Sequence, residues 1–314
     1  MYKLKKWYFD FLTPEHDFVF VYFACVQLFG RSMRSLTIHV ARPRTEFSAT
    51  RSFTPDDHEE RTDGGFRRLI KLPGGKISFD ERSCSILYAG KGCSLDLQYA
   101  GDGASLTNPV MIETGGRSHV LWQPLRLRYA VSGTVSAGGQ QLTVKNSSGY
   151  GDFLESTYLP PVVPVRTLFW GRLHHPGLDL VYIHAAPRSS QRNWSRLIVR
   201  SDGALAEMNN IKILPADDSL HAASERVPPP SYEVVGENST GRIRLKIHHI
   251  LPVQESSFID QQEIASPVAR SILRLLTRNP RSTKFLSRAD LVLETGKTQR
   301  VETNIPMIDE YALL

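Results

Sequence analysis

At 314 residues the chain is roughly two domains long. Its 41% hydrophobic and 22% charged residues suffice for packed cores, which excludes wholesale disorder. The formal charge of +6 is spread thinly, with one local concentration among Arg270, Arg274, Arg278, Arg281, Lys284 and Arg288, so nucleic acid is not an expected partner.

Lys3, Lys5 and Lys6 precede an apolar run from Phe18 to Phe29. Asp10, Glu15 and Asp17 interrupt the sequence between them, and no small-residue cleavage site follows. The run is also shorter than the ~20 residues that span a bilayer. A buried strand is expected here, without stable membrane insertion, in a cytoplasmic protein. Three cysteines, Cys25, Cys84 and Cys93, have no spacing for a disulfide framework or a zinc site, and buried thiols are expected.

Period-two alternation marks strands at Leu36–Val40, Leu125–Tyr129, Ile243–Ile247 and Asp290–Glu294. Turn signals separate them at Asp63-Gly64-Gly65, Pro73-Gly74-Gly75, Gly101-Asp102-Gly103, Gly115-Gly116, Gly138-Gly139 and Ser201-Asp202-Gly203. Short strands with such turns indicate all-β barrels or sandwiches rather than β-α-β units. The segment Tyr158–Pro164 is stiff and extended because each proline restricts itself and its predecessor. It divides the chain into expected domains at 1–157 and 158–314. The prolines between Val227 and Ser231 mark a surface loop. One helix is expected in the C-terminal half: Ser266 caps it, Pro267 takes the first position, Val268, Ile272, Leu275 and Leu276 form its apolar stripe, and Asn279-Pro280 stops it.

Phosphate-cradling loops, HExxH, GxSxG and paired CxxC are missing, and Gly90-Lys91-Gly92 lacks the rest of a dinucleotide fingerprint. The neighbours His174-His175 and His248-His249 would point to opposite faces of a strand and cannot share one ion. No cofactor and no metal is therefore expected. What remains is aromatic and ionisable. In Trp7-Tyr8-Phe9-Asp10-Phe11, alternation puts Trp7, Phe9 and Phe11 on one face and Tyr8 and Asp10 on the other. The second stretch is Gly149-Tyr150-Gly151-Asp152-Phe153-Leu154-Glu155, followed by Phe169-Trp170-Gly171-Arg172 and His174. A carboxyl among such rings would be desolvated, which raises its pKa and lets it serve as an acid. On the residues alone, a structural ion pair between Asp152 and Arg172 that ties the halves together is the simpler reading.

Trp7-Tyr8-Phe9-Asp10 resembles the opening (E)WWYF(D/N) signature of the AttH and carotenoid 1,2-hydratase lipocalin-like superfamily, which includes decalin-forming Diels–Alderases. Gly149-Tyr150-Gly151-Asp152 with Phe169-Trp170-Gly171-Arg172 is similar to its mid-chain GYxD…W(G)xWGR pattern. The last hundred or so residues match only in general character. The chain departs from the hydratases in having Gly151 where they usually have His, and a single Trp at the start with no Glu before it. The resemblance implies two lipocalin-like barrels side by side, with an apolar pocket near their junction for a large apolar small molecule. Carried over by position, it implies catalytic roles for Asp152, Arg172 and Tyr150. Substrate contacts are expected from Trp7, Tyr8, Asp10, His39, Trp122, Glu155, Trp170 and His174. The implied activity is cofactor-independent closure of a linear polyene, such as a polyketide in secondary metabolism. Acid-catalysed hydration or protonative cyclisation of an isoprenoid, and a non-catalytic lipid carrier, are the alternatives.

Overall fold

A computed structural model describes residues 2–28, 30–42, 45–53, 59–63, 67–80, 82–101, 110–113, 118–159, 162–188, 193–209, 211–215, 228–257, 281–296 and 298–314. These residues form strands in two compact units that divide between Leu159 and Pro160. The helix expected over 266–279 and the turns at 64–65, 102–103 and 115–116 lie outside the described residues.

The first unit is one antiparallel sheet. Its strands are β1 (Tyr2–Leu12), β2 (Phe18–Leu28), β3 (Arg31–Arg42), β4 (Thr45–Phe53), β5 (Glu59–Asp63), β6 (Arg67–Leu72), β7 (Gly75–Phe79), β8 (Ser83–Gly90), β9 (Cys93–Gly101), β10 (Val110–Glu113), β11 (His119–Ala137) and β12 (Gln140–Ser156). They lie in the order β4-β3-β2-β1-β12-β11-β9-β8-β7-β6-β5, with β10 on β11. The expected alternating strands at 36–40 and 125–129 fall inside β3 and β11. Gly138 and Gly139 join β11 to β12 with φ of 58° and 78°. Those values match the hairpin turn whose twist fits the strands, and glycine reaches them without steric cost. The sheet curls round a core that includes Trp7, Phe9, Val21, Ile38, Leu97 and Val131. Side chains tie its distant strands together. Arg51 Nη2 donates to the Lys91 carbonyl at 2.7 Å, and Arg42 Nη1 to Gln140 Oε1 at 2.9 Å.

The second unit comprises β13 (Val165–His175), β14 (Leu178–Pro187), β15 (Trp194–Ser201), β16 (Ala204–Met208), β17 (Ile211–Pro215), β18 (Ser231–Asn238), β19 (Gly241–Ser257), β20 (Arg281–Thr295) and β21 (Thr298–Leu313). Their order is β16-β15-β14-β13-β21-β20-β19-β18-β17. Among the described residues, the two edges meet through side chains rather than a ladder. Ser195 Oγ accepts from Ile211 N and donates to the Asn209 carbonyl, both at 3.0 Å, and Asn238 Nδ2 donates to the Glu207 carbonyl at 2.8 Å. These bonds satisfy backbone groups that an open edge would leave unpaired. The inner face packs Leu180, Val199, Leu245, Leu291 and Met307 into a second core.

Candidate active site

Alternation along β1 does what the sequence dictates. Trp7, Phe9 and Phe11 point into the first core, Trp7 lying 5.6 Å from the Phe23 ring and 5.1 Å from the Phe153 ring. Tyr8 and Asp10 stand on the other face. Pairing with β12 sets Tyr8 opposite Asp152 and Asp10 opposite Tyr150. Side chains opposite one another in a ladder share a face, so two Tyr-x-Asp units meet head to tail on neighbouring strands.

Hydrogen bonds within this patch are direct. Tyr8 donates its hydroxyl to Asp10 Oδ2 at 2.6 Å. Trp122 Nε1, from β11, and the Tyr150 hydroxyl both donate to Asp152 Oδ2, at 2.9 and 3.2 Å. Two donors converging on one oxygen fix the direction of the Asp152 carboxyl. Around it, Tyr22 lies 5.0 Å from Tyr8 and 4.9 Å from Phe20, and His39 stacks on Phe20 at 4.7 Å. His39 Nε2 also sits 3.5 Å from Glu46 Oε1. Asp10, Phe20, His39 and Tyr150 are wholly buried, and Asp152 is 7% exposed. A sheet's outer face usually carries polar residues in water; this one carries two carboxyls and a cluster of rings away from it.

The structure thus brings Asp152, Tyr150, Tyr8, Asp10, Trp122 and His39 onto one face of the first sheet. Trp7 and Glu155 lie on the opposite face by the same register. Glu155 is an ion-pairing residue at the strand end, 3.1 Å from both Lys3 and His119. Burial pushes its carboxyl up, but the interactions with Lys3 and His119 outweigh that and hold it below the usual range. In the second unit, β13 turns Phe169, Gly171 and Leu173 inward and Trp170, Arg172 and His174 outward. Arg172 is buried. Trp170 carries the Lys284 ammonium 5.3 Å above its ring, and Lys284 pairs with Glu310. His174 Nδ1 and Asp179 Oδ1 are 3.0 Å apart, and Arg200 clasps the other carboxylate oxygen at 2.6 Å. Sequence reasoning missed Phe20 and Tyr22, although Phe18, Phe20 and Tyr22 alternate within the apolar run and signal an aromatic outer row.

No protein-family model matches the chain, and no curated protein matches it by sequence. Solved structures do match. CghA with Sch210972 has a TM-score of 0.68 at 10% identity, covering 99% of this chain and 88% of that one. An AttH-like protein from Nitrosomonas europaea has a TM-score of 0.60 at 10% identity, covering 99% and 92%. The chain has the AttH-type lipocalin-like fold. Kievitone hydratase from Nectria haematococca shares it, with a TM-score of 0.57 at 10% identity over 98% of this chain and 88% of that one. At this identity the likeness is one of architecture, and the AttH-type fold leaves the chemistry to the site residues.

Proposed function

We propose that the chain is a cofactor-independent cyclase that folds a linear polyene, of polyketide type, and closes it into a ring. The observation that carries this reading is the buried aromatic face with two in-register Tyr-x-Asp units, one of them braced by Trp122. Ring closure of a flexible chain needs chiefly a shaped apolar surface that supplies the entropy of folding in advance. A polar group held in a fixed direction then polarises a carbonyl conjugated to the reacting alkene. Protonated Asp152, its direction set by Trp122 and Tyr150, is such a hydrogen-bond donor. CghA, solved with Sch210972 bound, and kievitone hydratase support small-molecule chemistry on this fold.

One observation favours a second reading. Asp10 is a second, wholly buried carboxyl on the same face, which supplies the acid and base that hydration or protonative cyclisation of an isoprenoid requires. Incubation with a linear polyene bearing a conjugated carbonyl, in water enriched in heavy oxygen, separates the readings. The cyclase reading expects a product of unchanged mass, with Asp152→Asn keeping ring closure within about tenfold, since general acid catalysis proper is worth roughly 10²–10⁴. A product that has gained labelled water, lost in Asp152→Asn, overturns it in favour of the hydratase. Substrate recovered bound and intact overturns both in favour of a carrier.

A further inference from the structure

Most of the inner face of the second unit is aliphatic, but it changes character toward the end where β13 begins. There Asp309, on β21, is wholly buried and satisfied by three donors. Tyr232 donates its hydroxyl to Oδ2 at 2.9 Å, His249 Nε2 lies 2.7 Å from the same oxygen, and Ser287 donates to Oδ1. The Tyr182 hydroxyl reaches Tyr232 at 2.6 Å, and His249 stacks on Phe285 at 3.8 Å. Burial raises both tyrosines well above their usual range. Each polar atom named here has its partner, so the cluster is a closed brace.

His184 is different. The ladder sets it opposite Phe169, and Phe169 opposite Tyr311, one inward row nearer the end than Tyr182 and Asp309. It is 5% exposed, and its Nδ1 is buried and has no hydrogen-bond partner among the described residues. Burial disfavours the charged ring, and a neutral ring with its proton on Nε2 presents Nδ1 as an acceptor. A buried acceptor left unmet costs about 1–3 kcal/mol, and the group that meets it must donate an O–H or N–H. The surrounding surface is aromatic: the Phe169 ring lies 6.4 Å from His184, 5.2 Å from Tyr232 and 5.1 Å from Tyr311. The nearby cations Arg172, Arg196 and Lys284 occupy the opposite face by register, so nothing here calls for an anion.

We propose that this end of the inner face is a second ligand site, distinct from the Asp152 face, for a flat neutral molecule of the phenol or enol class whose hydroxyl donates to His184 Nδ1. Phe169 is the half-buried ring over the site. Titration with 2-naphthol, followed by its fluorescence and by ¹⁵N resonances of labelled histidines, tests this against 2-methoxynaphthalene, which keeps the rings and lacks the donor. The naphthol binds once per chain and moves the His184 Nδ1 resonance. The ether, and the naphthol with His184→Phe, bind roughly tenfold more weakly, the effect of one net hydrogen bond of about 1.4 kcal/mol. Asp152→Asn binds the naphthol as the parent chain does. Equal binding of naphthol and ether, an unmoved resonance at saturation, no binding at all, or loss of binding in Asp152→Asn each overturns the proposal. Should His184→Phe fail to fold, the naphthol–ether pair and the resonance decide it alone.

Discussion

Gly171 is the most informative single position to perturb. Its φ is not positive, so alanine meets no backbone strain there, and any penalty comes from the added methyl group. An ideal Cβ would stand 2.6 Å from Tyr182 Cε1, 2.7 Å from its hydroxyl oxygen and 2.8 Å from Cζ. Tyr182 cannot yield cheaply, because it is wholly buried and bonded to Tyr232. Overpacking of this kind costs about 1–3 kcal/mol. Displacing the ring also loses a buried hydroxyl bond, about 1 kcal/mol more. Against this, replacing glycine restricts the unfolded chain by about 0.5–1 kcal/mol in favour of folding. The expected net is a loss of about 2 kcal/mol. For a unit of this size, at roughly 2–4 °C per kcal/mol, the melting midpoint falls by about 4–8 °C. Calorimetry on Gly171→Ala, Tyr182→Leu and the double variant reads the coupling directly, and the double variant should be at least about 1 kcal/mol better than additivity. Strict additivity, or an unchanged midpoint for Gly171→Ala, refutes the reasoning.

Acid titration reports on His184. Burial pushes its ring down from 6.5 to about 4, so it stays neutral in the fold while the unfolded chain takes up a proton. Its contribution is complete above pH 6.5 and is lost progressively as pH falls from 6.5 to about 4, by up to about 3 kcal/mol. Denaturant midpoints across that range should slope in the parent chain and flatten in His184→Phe; parallel slopes would contradict the assignment. Asp179 behaves differently. Burial raises its carboxyl, but His174 and Arg200 outweigh burial and hold it below the usual range. Its contribution is present above the unfolded carboxylate value and disappears only below it. Asp179→Asn should lower stability by about 2 kcal/mol in urea, less than a fully buried pair because Arg200 can rehydrate. A change under about 0.5 kcal/mol would show that the cluster contributes little.

Much of the fold was legible because β-strands announce themselves locally. Leu36–Val40, Leu125–Tyr129, Ile243–Ile247 and Asp290–Glu294 alternate, and each lies within a strand. Gly138-Gly139 and Asp202-Gly203 sit in tight turns, with positive φ at all four residues. The two faces of β1 could be assigned before any neighbour was known. Which strand lies beside β1 could not, since the ladder from Tyr8 to Asp152 joins residues far apart in sequence, and periodicity carries no register between distant strands. The pairing of Trp122 with Asp152 was invisible for the same reason. Asp309 was overlooked although its signal was present: Ile305, Met307, Asp309 and Tyr311 alternate, which places a carboxyl in an otherwise apolar inward row.

In each unit the first strand lies in the middle of the sheet and is sealed by the last, β1 by β12 and β13 by β21. This ordering has a consequence for synthesis on the ribosome. β1 can form a meander with β2, β3 and β4 early, but its other edge stays open until residues up to Ser156 have emerged. At about 5–20 residues per second that delay is on the order of ten seconds. Throughout it, a strand apolar on one face and aromatic on the other presents unpaired backbone groups, the arrangement most prone to recruit a second chain. The segment that positions Tyr8 and Asp10 is therefore also the one most in need of a chaperone's cover while the chain is being made.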